Sequence, residues 1–182
     1  MATLEDPVPS PGPGGPFGTM AWLRASVSRF ANGETHARRR RITEELLAGI
    51  EPRISGSGPY APVVSLAAGL GATVDVEDVR TVAAAYHPGT DAPGADEALR
   101  RVLAALPEDD EETAAQRVAI LVQACEATAA LIRGETLPVR TTKRVDADGR
   151  TVLVSLEGRP FGEGSRRCPG ERHARAFAEA LR

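Results

Sequence analysis

The cysteine at position 168 has the surroundings best suited to chemistry. It lies in Arg159-Pro160-Phe161-Gly162-Glu163-Gly164-Ser165-Arg166-Arg167-Cys168-Pro169-Gly170. The glycines permit a tight loop with backbone angles that other residues avoid. A helix is expected to follow, with Pro169 well placed to start it. Arg166 and Arg167 beside the thiol, and the helix N-terminus after it, both favour thiolate, the form that binds a metal or attacks carbon. The same segment also suits a buried structural cysteine in a Gly-rich turn.

Two further groups have the right types and spacing. His36 and Arg40 are four residues apart and project from one helical face, a pair suited to an anionic ligand such as a carboxylate. The alternative there is a solvated basic face, since Arg38 to Arg41 are consecutive arginines. The run Val118–Ile132 (VAILVQACEATAALI) is apolar except at Gln123, Glu126 and Thr128. Its apolar positions spread all round, so burial on every side is expected. A carboxylate in such a helix is costly unless paired or protonated, which makes Glu126 either a functional acid or the partner of one of the many arginines.

The elements that must position these groups follow from periodicity and breakers. Residues 2–19 carry five prolines and four glycines and are expected to form a flexible leader. Helical spacing starts at Met20 and breaks at Asn32-Gly33; a second helix fits Glu34 to Ile50, stopped by Pro52. Residues 53–75 are punctuated by Gly and Pro around a short apolar segment, Val63 to Leu70. Helices are expected at 76–86 and 94–106. The acidic stretch 108–112 opens another helix running to about Ile132. Segments 138–145 and 150–156, joined by Asp148-Gly149, form a hairpin signal. Residues 158–170 lead into a last helix, Glu171 to Arg182. The fold class is mainly α with one small β-hairpin.

Composition narrows the function. The chain has 182 residues, 42% hydrophobic and 26% charged, enough for an ordinary core. A net charge of −3 disfavours nucleic acid as a partner. Two cysteines exclude a disulfide scaffold and a four-cysteine zinc site. No apolar run reaches the ~18 residues of a membrane span, and no secretory signal is visible, so a soluble, cytoplasmic protein is expected.

The segment Phe161–Gly170, read as Phe-Gly-x-Gly-x-Arg-x-Cys-Pro-Gly, resembles the haem-binding loop of the cytochrome P-450 family. The resemblance implies heme b (iron protoporphyrin IX, haem below) as cofactor, Cys168 as its axial thiolate, and Arg166 on a haem propionate, with Phe161 and Gly170 completing the cofactor loop. Gly-Glu-Thr-His-Ala-Arg-Arg-Arg-Arg is similar to the family's C-helix, which implies propionate contacts from His36 and Arg40. Trp22-Leu23-Arg24 offers a second, Trp-containing match to that helix. Gln-Ala-Cys-Glu-Ala-Thr-Ala-Ala-Leu-Ile resembles the I-helix over the distal face of haem and implies catalytic roles for Glu126 and Thr128. Ala127 stands where the family places its threonine; Thr128 follows about 100° further round the helix. The strand 138–145 resembles the one beside the haem edge and implies a propionate contact from Arg144.

The implied architecture is a strongly truncated P-450-like haem domain over residues 20–182, less than half the usual family length. The Glu-x-x-Arg brace of the haem loop is missing. Glu97 and Arg100 have its spacing but precede the buried helix, and they are expected to be an ordinary i, i+3 pair. The implied function is monooxygenation of a small organic molecule. The expected electron donor is a ferredoxin or flavoprotein, docked on a basic face of Arg166, Arg167, Arg172 and Arg175, or peroxide supplies the oxidant. The alternatives are a non-catalytic haem-binding protein and a haem-free scaffold that acts by pairing with a partner, a second copy included.

Overall fold

The structure is a computed structural model that describes residues 2–181. Its elements run α1 (Met20–Ser26), α2 (Gly33–Ala48), α3 (Ala61–Gly69), α4 (Val76–Ala84), α5 (Ala95–Ala105), α6 (Glu111–Arg133), β1 (Thr141–Val145), β2 (Thr151–Ser155) and α7 (Glu171–Ala180). Short 3-10 turns at Ser28–Phe30 and Gly164–Arg166 lie ahead of α2 and α7. The chain is mainly helical with one antiparallel hairpin, as its periodicity predicts.

Local chemistry sets the element ends. Side chains of Thr19, Asp75 and Asp110 accept backbone N–H groups in the first turns of α1, α4 and α6, satisfying donors that a helix start leaves unpaired. Gly134, at φ +68°, ends α6 in a left-handed conformation that suits glycine. The apolar stretch around Val63–Leu70 is helical: α3 covers Ala61–Gly69, with Pro62 in its first turn. The strands are shorter than their sequence signals, pairing Thr141 with Ser155 through Val145 with Thr151.

α6 is the central element and packs against α1, α2, α3, α4, α5 and α7. Val118 and Leu121 are fully buried, each worth about 1.5–3 kcal/mol of burial. The expected burial on every side does not hold. Gln123 is exposed, and Ala124, Glu126 and Ala127 are half-buried, because this face looks onto a cavity rather than onto another helix. At 23 residues α6 is long and apolar enough to cross a membrane by length and composition, yet 61% of its most apolar window is buried by its neighbours. A core helix passes the same test.

The expected leader is not detached from the body. Leu4 and Val8 are buried. Val145 N–H donates to Pro7 O at 2.8 Å, extending the hairpin edge by one contact. The Asn32 side-chain amide accepts from Val8 N–H and donates to Val8 O, both at 2.9 Å. Prolines remove helix and ladder options from this segment, but they leave it free to lie extended against an edge.

Candidate functional site

A cavity of about 910 Å³ opens between α2, α6, the hairpin, the 158–170 loop and α7. That volume falls in the upper part of the ~300–1,000 Å³ range of ligand pockets. The residues selected from sequence all line it. The loop contributes Phe161, Arg166, Cys168 and Gly170; α2 contributes His36 and Arg40; α6 contributes Glu126 and Thr128; β1 contributes Arg144.

The loop is shaped by its own backbone. Gly162 and Gly164 have φ of +70° and +59°, which glycine adopts without strain. Cys168 N–H donates to Phe161 O at 2.7 Å, closing the loop on itself. The Arg175 guanidinium lies over the Phe161 ring, 4.9 Å from its centroid, within the ~6 Å reach of such a contact. Cys168 is exposed as a residue and is among those that line the cavity.

The expected depression of the Cys168 pKa is not found. Desolvation pushes the thiol up and outweighs the Gly170 backbone N–H and the Arg40 and Arg29 charges, which favour thiolate. The sequence neighbours do not supply those charges: Arg167 is bound to Glu171 at 2.7 Å. The thiol is thus held in its protonated form, and binding of a metal there would have to displace the proton.

The basic side of the cavity is undercompensated. Arg166 donates to Ala31 O at 3.0 Å and to Asn32 Oδ1 at 2.7 Å. Arg144 is buried and donates to Leu4 O, Thr142 Oγ1 and Lys143 O. Among the described residues neither has a carboxylate within ion-pair distance, and the same holds for Arg29. Burial lowers the pKa of both Arg144 and Arg166. His36 is lowered by burial, then by Arg166 and Arg40, so its imidazole is neutral at pH 7. Arg40 has a partner, Glu44, at 2.6 Å. Arg144 is buried and Arg166 half-buried, each with no carboxylate in direct contact among the described residues, an arrangement that suits an anionic ligand.

Glu126 is held from outside the cavity. Tyr60 O–H donates to it at 3.1 Å and Arg80 Nε at 3.2 Å. Arg80 also stacks on the Tyr60 ring at 4.7 Å and pairs with Glu77. The paired-acid alternative is thus present in the fold, on a residue that also lines the cavity. Thr128 is buried one residue beyond Ala127. The second C-helix match does not reach the cavity. Trp22 Nε1 donates to Glu111 at 3.1 Å, and Arg24 is spent on the carbonyls of Ala85, Tyr86 and Thr90. Glu97 and Arg100 form the expected surface pair at 3.0 Å. On the basic face, Arg167 and Arg175 share Glu171, and Arg172 approaches Glu51 at 3.8 Å, so its charge is only partly offset.

Several cavity residues escaped sequence reasoning. Arg29 sits on the 3-10 turn before α2 and acts electrostatically on Cys168, Arg144 and His87. Nothing in the sequence separates it from the other arginines. His87 follows α4 and packs edge-on to Tyr86; burial, Arg29, Lys143 and Arg24 hold it down to about 4. His173 is buried on α7, its Nε2 2.8 Å from Ile50 O and its Nδ1 without a partner among the described residues. Its spacing of four from Phe177 marks both as inward-facing, and that pattern was readable. Among the described residues no three His, Cys, Asp or Glu side chains form a metal-sized cluster. A metal bound through Cys168 alone would have to arrive inside a larger ligand.

No family model, no curated protein and no solved structure matches this chain.

Proposed function

We propose that the chain is a haem-thiolate protein of the cytochrome P-450 type, with Cys168 as axial ligand, that oxidises a small organic molecule. One observation carries the reading: side chains from position 36 to position 170 line a single cavity, with a thiol on its wall and arginines lacking carboxylate partners beside it. The cavity fits the group. Cys168 would hold the iron; Arg144, Arg166, Arg40 and His36 would hold the propionates; Phe161 and Gly170 would flank the sulfur's loop. The chemistry supplied by thiolate-bound haem is oxidation, with O–O cleavage favoured by the electron-rich sulfur. The chain's own part is to desolvate the thiol, to neutralise two acid groups, and to present Gln123, Ala127 and Thr128 on the α6 side of the cavity.

A second reading, haem binding without turnover, is favoured by Glu126. Its carboxylate is engaged by Tyr60 and Arg80, and Ala127 leaves no hydroxyl next to it on the usual side.

The test is absorbance. Purified protein titrated with hemin, reduced and exposed to carbon monoxide, is expected to give the Soret band of thiolate-ligated haem. Cys168→Ser is expected to lose that band. A protein that stays colourless, or a serine variant that keeps the band, rejects the reading. Peroxide- or ferredoxin-driven turnover then separates enzyme from carrier.

A further inference from the structure

Residues 3–10 cover the basic side of the cavity, and Leu4 O occupies a guanidinium donor that an acidic ligand would also use. Leu4, Val8, Pro9 and Ser10 line the cavity. Leu4 O accepts the Arg144 Nε hydrogen at 3.0 Å. Asn32, which holds Val8 by its side-chain amide, accepts from Arg166 at its Oδ1, 2.7 Å away. The Glu5 carboxylate accepts from Ser165 N–H at 3.0 Å and Ser165 Oγ at 2.7 Å. It seats directly over Gly164, where any side chain would collide with it. Glu5 is also the acid common to the surroundings of His36, Arg144 and Arg166.

We propose that residues 3–10 form a displaceable strap latched by Glu5 on Ser165, in which Leu4 O and the Val8-bound Asn32 occupy the donors of Arg144 and Arg166, so that an acid-bearing ligand must lift the strap to reach those two arginines. This rests on the haem reading for the ligand's class. Its contacts are of the replaceable kind: one backbone bond to β1, one side-chain amide clamp and one carboxylate on a loop. Because Arg144 and Arg166 are held by neutral oxygens, ligand binding and strap closure compete for the same guanidinium donors.

The experiment uses the full chain, as wild type, Glu5→Gln and Ser165→Ala, with hemin and its dimethyl ester as probes. The ester keeps the ring and lacks the acid groups. Loss of one charge-assisted contact corresponds to about tenfold. Stopped-flow absorbance is therefore expected to show hemin associating about tenfold faster with both variants, while association of the ester is unchanged between the proteins. Amide exchange is the second measurement: hemin is expected to deprotect residues 3–10 in wild type and in Cys168→Ser. Equal association rates in all three proteins overturn the strap, as does protection of residues 3–10 that hemin leaves unchanged. The two readings fail separately. Deprotection without the thiolate band keeps the strap and rejects Cys168 as ligand. A thiolate band with residues 3–10 still protected keeps the ligand and rejects the strap. A protein that takes up no hemin overturns both.

Discussion

Gln116 holds the 3-10 turn that carries Arg29 and Phe30 to the cavity, and its replacement by leucine tests that arrangement. The side chain is fully buried on α6. Its Oε1 accepts from Ser28 N–H at 3.0 Å, and its Nε2 donates to Ser26 O at 2.9 Å and Glu112 O at 3.0 Å. Leucine keeps the helix propensity and nearly the volume. Ser28 N–H and Ser26 O then lose their partners, at roughly 1–3 kcal/mol for each group that water cannot reach. Burying a methyl-tipped side chain in place of an amide returns part of this, about 1–3 kcal/mol. Ser28 lines the cavity, so its N–H regains some solvent. A net loss of about 2 kcal/mol is expected. Urea denaturation followed by far-UV circular dichroism reads it as a lower midpoint at unchanged slope. Hemin affinity should fall in parallel, because Arg29 and Phe30 lie on the released turn. A loss under about 0.5 kcal/mol, the range of an indifferent surface substitution, would refute the claim that these bonds position the turn.

Other outcomes are as specific. His87 is held down to about 4 from its ordinary 6.5. The unfolded chain therefore takes up that proton first, and stability complete above pH 6.5 is lost as pH falls toward 4; His87→Phe should flatten that part of the stability profile. Glu112, gripped by Arg38 and Arg39 at 2.8 Å each, is lowered from 4.5 to about 2. Its contribution is present above pH 4.5 and disappears as pH falls toward 2, a step that Glu112→Gln should remove from acid titrations. An aromatic disulfide reagent should label Cys168 in the native protein and spare Cys125, which is fully buried and pushed up to about 12 by desolvation and by Glu126; bound hemin should block the labelling. Glu126→Gln should leave hemin content unchanged and slow peroxide-driven turnover. Equal turnover would confine Glu126 to holding Tyr60 and Arg80.

Sequence alone determined what depends on neighbours along the chain. The caps at Thr19, Asp75 and Asp110, the breaks at Gly134 and Gly149, and the i, i+4 faces of α2 and α7 are local torsional and hydrogen-bonding preferences, so the hairpin and every helix but α3 were legible. Contiguous motifs singled out the cavity-lining residues His36, Arg40, Glu126, Thr128, Arg144, Phe161, Arg166, Cys168 and Gly170, but not Arg29, His87 or His173. Tertiary structure alone decided the rest. The Pro/Gly-rich leader meets Arg144 and Ser165 across more than a hundred intervening residues, a contact no local pattern encodes. The Cys168 thiol is raised rather than lowered because desolvation depends on what packs around the sulfur, whereas the adjacent arginine suggested by the sequence is occupied by Glu171. Glu126 found Tyr60 and Arg80 for the same reason. Torsions are settled within a few residues; dielectric surroundings and ion-pair partners are settled only when distant segments pack.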